Sequence, residues 1–396
     1  MPQQIQLDIE RISALMAEKG LSQADIANRL GISRTSVSNW LTRKGAPKAR
    51  NVGQLALALG VLISDIVLQF QNPPILNVNF RAIRNSAKVS ESTYRMARDA
   101  GHALNKLSPY LPKIGSYLEP IRLKRFTGSY DEQQELAQHL RALQKVGPTD
   151  IFTYHNASCI LDGLGIHIVP VLLGRSTKDF PVEALHIRSA ASALEWMYFN
   201  IEAPRYHFKF MVAHELFHAL AKNLNLEKGI EDKFADGFAE ALLFPQSLSQ
   251  SAYELLIEAA TQKRRVDICI DFAKSMVIHP YQVYKASNSY AVRFNKPQLP
   301  NIQGGYKQFE YFISKNKSLL EEIFPGRSFD EITPETYSTA LSEAFCTPIF
   351  NALREYCQNH SDGIRIVSTV LFMHTADAAG LVKHWVSLNA ANQTHH

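Results

Sequence analysis

Residues 214–218 read His214-Glu215-Leu216-Phe217-His218, and residues 230–245 read Ile230-Glu231-Asp232-Lys233-Phe234-Ala235-Asp236-Gly237-Phe238-Ala239-Glu240-Ala241-Leu242-Leu243-Phe244-Pro245. The two histidines are four apart, so on a helix they share one face and both imidazoles can address one ion. Glu215 is rotated by about 100° and can reach a water on that ion. Phe208, Met211, Val212, Leu216, Phe217 and Leu220 supply the apolar surface of a buried helix. His-Glu-x-x-His is the spacing of helix-borne zinc sites in which the Glu is a general base. A working zinc site takes three protein ligands and keeps one position open. The third ligand is expected from the second segment. There Phe234, Phe238, Ala241 and Leu242 form an apolar stripe, and Asp232 and Asp236 lie four apart on an adjacent face. One acid can bind the ion while the other orients a ligand histidine.

Upstream, residues 131–145 pattern as an amphipathic helix and 157–163 as a shorter one. Three strand-like runs follow at 166–173, 184–189 and 196–201, then a long helix after Pro204. The second acidic segment is helical over 230–243 and stops at Pro245. From there to about 388 the pattern is mostly helical, with loops near 296–305 and 325–333.

Two segments together, His214–His218 and Ala235-Asp236-Gly237-Phe238-Ala239 running into Leu242-Leu243-Phe244-Pro245, resemble the ImmA/IrrE metallopeptidase family. The strands and the Leu164-Gly165-Ile166 step fit as well, and the similarity covers about residues 130–290. It implies an α+β zincin-like domain, a zinc-bound water with Glu215 as base, and cleavage of a protein, often a repressor. The family usually carries Glu where this chain has Asp232, with Glu231 beside it. Asp is a competent ligand but shorter by one methylene. Either Asp232 or Glu231 completes the set; Asp232 is favoured because its i+4 partner is Asp236. The expected site is therefore His214, His218 and Asp232 on zinc, Glu215 as base, and Asp236 behind a histidine. His207 and His279 read as a packed histidine and a helix cap.

The N-terminal residues carry a different logic. Leu21-Ser22-Gln23-Ala24-Asp25-Ile26-Ala27-Asn28-Arg29-Leu30-Gly31-Ile32-Ser33 places a small residue, Ala27, where two helices cross. Gly31 stands where a tight turn needs left-handed backbone, and Ser33 caps the next helix. Ile26, Leu30, Ile32, Val37 and Trp40 supply buried faces. Arg34, Thr35, Ser36 and Asn39 then fall on an outer face, with side chains suited to base edges in the major groove. Gln23 is placed to reach a phosphate. Residues 7–69 resemble Xre/Cro-type repressor domains, which are commonly fused to the ImmA/IrrE family. That resemblance implies an operator DNA partner and, through paired half-sites, a homodimer.

The fold class expected is multidomain: an all-α helix-turn-helix domain over 1–70, a basic, partly helical connector over 71–129, an α+β zincin-like metallopeptidase domain over 130–290, and a helical C-terminal region over 291–396. The linker begins at Gln71-Asn72-Pro73-Pro74. Between 79 and 128 ten Lys/Arg stand against three acids, which fits either a solvated connector or a phosphate-contacting extension. The chain of 396 residues has 46% hydrophobic and 20% charged residues and a net charge of +5, an ordinary globular composition with a mild basic excess. Cys159, Cys269, Cys346 and Cys357 are scattered, which fits a reducing compartment better than secretion. Cys346 and Cys357 read as inert thiols. No leader and no apolar run of membrane-spanning length is evident, so a cytoplasmic protein without a membrane partner is expected. Two functional classes remain. One is a DNA-localised zinc peptidase that cleaves a protein; for either class the family resemblance implies a stress, immunity or toxin–antitoxin setting. The other is a non-catalytic repressor or antitoxin that uses the zincin-like domain to sense or bind.

Overall fold

The computed structural model describes residues 7–42, 44–61, 66, 76–83, 90–112, 123–172, 182–189, 195–224, 226–302, 304–327 and 331–393. Residues 62–65 and 67–70 of the expected helix-turn-helix domain and residues 113–122 of the expected connector lie outside these. The chain divides into two compact units, Met1–Ile75 and Leu76–His396, each with its own hydrophobic core.

The first unit holds α1 (Ile9–Glu18), α2 (Gln23–Leu30), α3 (Arg34–Leu41) and α4 (Ala49–Leu59). Ile12, Leu15, Ile26, Ala27, Val37, Trp40, Val52, Leu55 and Leu59 are buried and face one another. Apolar residues recur at helical spacing on each of these short helices, so the core is the stripe they share.

The second unit is built on a four-stranded sheet of order β1-β3-β4-β2. Its strands are β1 (Leu76–Ile83), β2 (Ile166–Val171), β3 (Val182–Ser189) and β4 (Glu195–Asn200). β1 pairs antiparallel with β3, β3 antiparallel with β4, and β4 parallel with β2. Every residue of β2 and β4 is buried, as expected where helices cover both faces of a sheet. α5 (Glu91–Leu107), α6 (Tyr130–Leu143) and α7 (Tyr154–Gly163) precede β2, and Gly165, at φ 79°, makes the turn from α7 into the strand.

α8 (Arg205–Leu220) and α9 (Lys228–Leu243) follow β4 and pack on each other. α8 is buried from Val212 to Leu220 except for its half-buried His214. A Cβ at Gly237 of α9 would collide with the Gln133 amide of α6, so glycine permits that close approach. The buried Arg141 fastens the same pair: it donates to the carbonyl of Leu242 at 2.7 Å and to those of Gly147 and Asp150.

The rest of the chain is helical: α10 (Gln246–Glu258), α11 (Gln262–Met276), α12 (Pro280–Arg293), α13 (Gly305–Ser314), α14 (Leu319–Ile323), α15 (Pro334–Phe345), α16 (Ile349–Asn359), α17 (Gly363–Leu371) and α18 (Thr375–Gln393). These helices share the core of the sheet rather than forming a separate body; Thr347 Oγ1 donates to the Ile168 carbonyl at 2.6 Å and Trp385 is fully buried. Part of the expected basic connector also belongs to this unit. β1 is a sheet strand, and α5 buries Ala97, Ala100, Ala103, Leu104 and Leu107. Lys106 pairs with Asp362 at 3.1 Å and Tyr110 with His360 at 2.9 Å. The basic residues flank an apolar stripe whose partner, α17, is contributed by the far end of the chain.

Candidate metal centre and nucleic-acid interface

α8 places His214 and His218 one turn apart, and α9 brings its first turns against them. His218 Nε2 lies 3.0 Å from His214 Nε2 and 3.3 Å from Asp232 Oδ1. His214 Nε2 is 3.9 Å from that same oxygen. Among the described residues, these three form the group of donors that converges within 4.8 Å. A tetrahedral ion with ligands at about 2.0–2.1 Å spaces them by about 3.3 Å, so the triangle fits zinc.

The opposite ring nitrogens are held by two further acids. His214 Nδ1 meets Asp236 Oδ1 at 2.9 Å, and His218 Nδ1 meets Glu231 Oε1 at 2.8 Å. When each Nδ1–H donates to its carboxylate, both Nε2 lone pairs face inward. Lone pairs at 3.0 Å repel, and a cation placed between them removes that repulsion. The His214 hydrogen bond holds the Asp236 carboxyl below its ordinary range, with the charges of His214, Lys285 and His218 adding to it. Lys285 of α12 also pairs with Glu240 of α9. Glu215 is only 2% exposed and sits on α8 between His214 and His218 in sequence.

His207 and His279 are outside this cluster. Their rings lie 5.2 Å apart, and His279 Nδ1 caps α12 by accepting from the Tyr281 N–H at 3.1 Å. Sequence reasoning left Glu231 as an alternative ligand. In the structure it instead backs His218, as Asp236 backs His214. The sequence signal for that role is only the one-residue offset from Asp232, which turns the side chain away from the converging point.

In the first unit Ser22 and Asp25 form a reciprocal cap at the start of α2, with Ser22 N–H to Asp25 Oδ2 at 2.8 Å. α2 ends on Gly31 in the left-handed conformation at φ 66°. Ser33 then accepts from the Ser36 N–H at 3.2 Å, and the two hydroxyls meet at 2.9 Å. Ser33 and Ser36 are thereby engaged in starting α3. Arg34, Thr35 and Asn39 are exposed on α3, and Gln23 is half-buried at the start of α2. Arg29 Nη1 donates to the Ala58 carbonyl at 2.9 Å and ties α2 to the end of α4; sequence reasoning did not single it out. Residues 12–66 match the helix-turn-helix family model. No curated protein and no solved structure matches the chain. The helix-turn-helix domain gives the protein a DNA-binding regulatory role. Among the described residues no helix is long and apolar enough to cross a membrane.

Proposed function

We propose that the protein is a DNA-binding regulator whose second unit is a zinc-dependent peptidase acting on a protein substrate. The observation that carries the reading is the convergence of His214 Nε2, His218 Nε2 and Asp232 Oδ1, each histidine backed by a carboxylate, beside the buried Glu215. The resemblance of the two site segments to the ImmA/IrrE family supports it. His214, His218 and Asp232 would hold the metal. Bound zinc supplies Lewis acidity, which lowers the proton affinity of water and polarises a peptide carbonyl. Glu215 takes one proton from the attacking water as its oxygen bonds to the carbonyl carbon. It returns that proton to the amide nitrogen as the C–N bond breaks. Asp236 and Glu231 hold the imidazoles in the orientation the metal requires. In the helix-turn-helix domain, Arg34, Thr35 and Asn39 face base edges, while Gln23 and the Ser33–Ser36 turn lie against phosphates.

Asp232, one methylene shorter than the acid usual in the resembling family, favours a second reading: a repressor or antitoxin whose second unit senses or binds without cutting. One set of proteins separates the two. About one zinc per chain is expected by elemental analysis, retained in Glu215→Gln and lost in His214→Ala and Asp232→Ala. Cleavage of a proteome-derived peptide library should disappear in Glu215→Gln. A zinc-loaded wild type that cuts nothing while binding its operator supports the second reading. Normal cleavage by Glu215→Gln removes the first.

A further inference from the structure

α11 and α13 pack against each other at Gly305, where an added Cβ would meet a Val266 methyl at 2.8 Å. α13 buries Phe309 and Ile313. The face left outward carries Tyr311, Phe312 and Lys315, with Lys307 a turn earlier. α11 adds Asp267 and Lys274, seven apart and therefore on one face. Together they line a groove of about 550 Å³, the size of a small-ligand site. Lys274 Nζ lies 5.8 Å from the Phe312 ring centroid, and Lys315 Nζ lies 5.5 Å from that of Tyr311. An aromatic face attracts an ammonium without neutralising it. Among the described residues, Lys274, Lys307 and Lys315 form no salt bridge, whereas Lys106, Lys222 and Lys285 each hold a carboxylate. Three lysines against the one aspartate leave the groove positively charged. Tyr311 is 66% exposed, so most of its ring is open to a ligand.

We propose that the groove between α11 and α13 binds one nucleoside di- or triphosphate per chain. Each part of such a ligand has a counterpart here. Phosphate oxygens supply the charge that Lys274, Lys307 and Lys315 lack, and lysine meets phosphate as a point charge. An open aromatic ring in a basic groove gives a base a surface to stack on, and Tyr311 is that ring. Asp267 chooses among anions. It repels a bare polyphosphate or an acidic peptide, but a ribose hydroxyl donates to it, as ribose does to acidic residues in dinucleotide sites. The ligand would clamp α11 to α13. The last turn of α11 also supplies the Met276 carbonyl that holds Lys209 of α8. The groove is thus one helix removed from the helix of His214 and His218.

The test is calorimetric titration of the full chain with ATP, GTP, CTP and UTP, each beside its nucleoside, inorganic tripolyphosphate and a short DNA single strand. At least one nucleotide should bind with a stoichiometry of one and weaken as salt is added. Its nucleoside and tripolyphosphate should each bind at least about tenfold more weakly. Lys307→Ala and Lys315→Ala should weaken the nucleotide and tripolyphosphate alike. Tyr311→Ala should weaken the nucleotide by about tenfold and leave tripolyphosphate unchanged. All three side chains are exposed, so these variants keep the fold. The proposal is overturned if no nucleotide binds at about 1 mM, or if the three variants bind it like wild type. Tripolyphosphate binding as tightly as the nucleotide would reduce the groove to a patch for any anion and overturn it too. So would a DNA strand that binds more tightly than every nucleotide and loses affinity in the same variants.

Discussion

Glu231 and Asp232 are neighbours in sequence and address opposite nitrogens of the same imidazole: Glu231 meets His218 Nδ1 at 2.8 Å, and Asp232 stands 3.3 Å from His218 Nε2. Their substitutions should therefore differ in kind. Asp232→Ala removes a ligand and should abolish stoichiometric zinc. Glu231→Gln and Asp236→Asn leave three ligands in place and should weaken zinc by about 10–100-fold, measured by competition with a chelating fluorophore. Equal losses in all three variants would show that Asp232 is not a ligand. At the DNA surface, Asn39→Ala should cost about 1–3 kcal/mol on the specific operator and relax one base position. Gln23→Ala should weaken binding evenly across sequences, as fluorescence anisotropy on matched and mutated duplexes would show. At this scale the histidine pair, Asp232 and Asp236 were legible because four-residue spacing fixes a shared helix face whatever the surroundings. The bond of Glu231 to His218 Nδ1 was not, since a shared helix face does not say which acid meets which ring nitrogen.

α8 carries one residue at odds with its surroundings. Lys209 is 3% exposed and donates from Nζ to the Met276 carbonyl at 2.6 Å, at the end of α11. Burial lowers its pKa from 10.5 to about 7, and the charge of Arg141 adds to this. Between those values the folded lysine is largely neutral while the unfolded one is charged, so the unfolded state binds more protons. This contribution makes stability rise with pH through that window, and below it the cost of the buried charge is felt in full. Wild type measured against Lys209→Met should gain stability from pH 7 to pH 10 in urea unfolding. A flat or falling difference would mean the amine is charged in the fold. Elements differed in legibility for a related reason. β2, β3, β4, α8 and α9 follow their own sequence periodicity. β1 alternates Asn77 and Asn79 with Val78 and Phe80 and is a strand only because β3, about a hundred residues later, offers the other half of its ladder. α5 likewise needs α17 to cover its alanine stripe.

Across the whole molecule, the two units keep separate cores, and the three tryptophans are divided between them: Trp40 in the first, Trp196 and Trp385 in the second. A ligand that binds only the native form of one unit stabilises that unit, by about 2.7 kcal/mol when present at a hundred times its Kd. Removing zinc with a chelator should lower the unfolding midpoint reported by Trp196 and Trp385. The transition of Trp40, read in a chain lacking the other two tryptophans, should stay where it was. A Trp40 transition that moves equally would mean that the metal acts on the helix-turn-helix domain. The expected division of residues 71–396 into connector, catalytic domain and tail reflects what periodicity can see. It marks helices and strands but not which of them share a core.

The pairing of α5 with α17 also orders events at the ribosome. The described core residues of the helix-turn-helix domain are all in place by Ile66, so it can close while most of the message is still unread. The second unit waits for α17 and for Trp385 of α18. Every nascent chain thus passes through a stage with a finished helix-turn-helix domain and an unfinished second unit. A chain terminated before Gly363 would keep the first and lack the helix that seals the second.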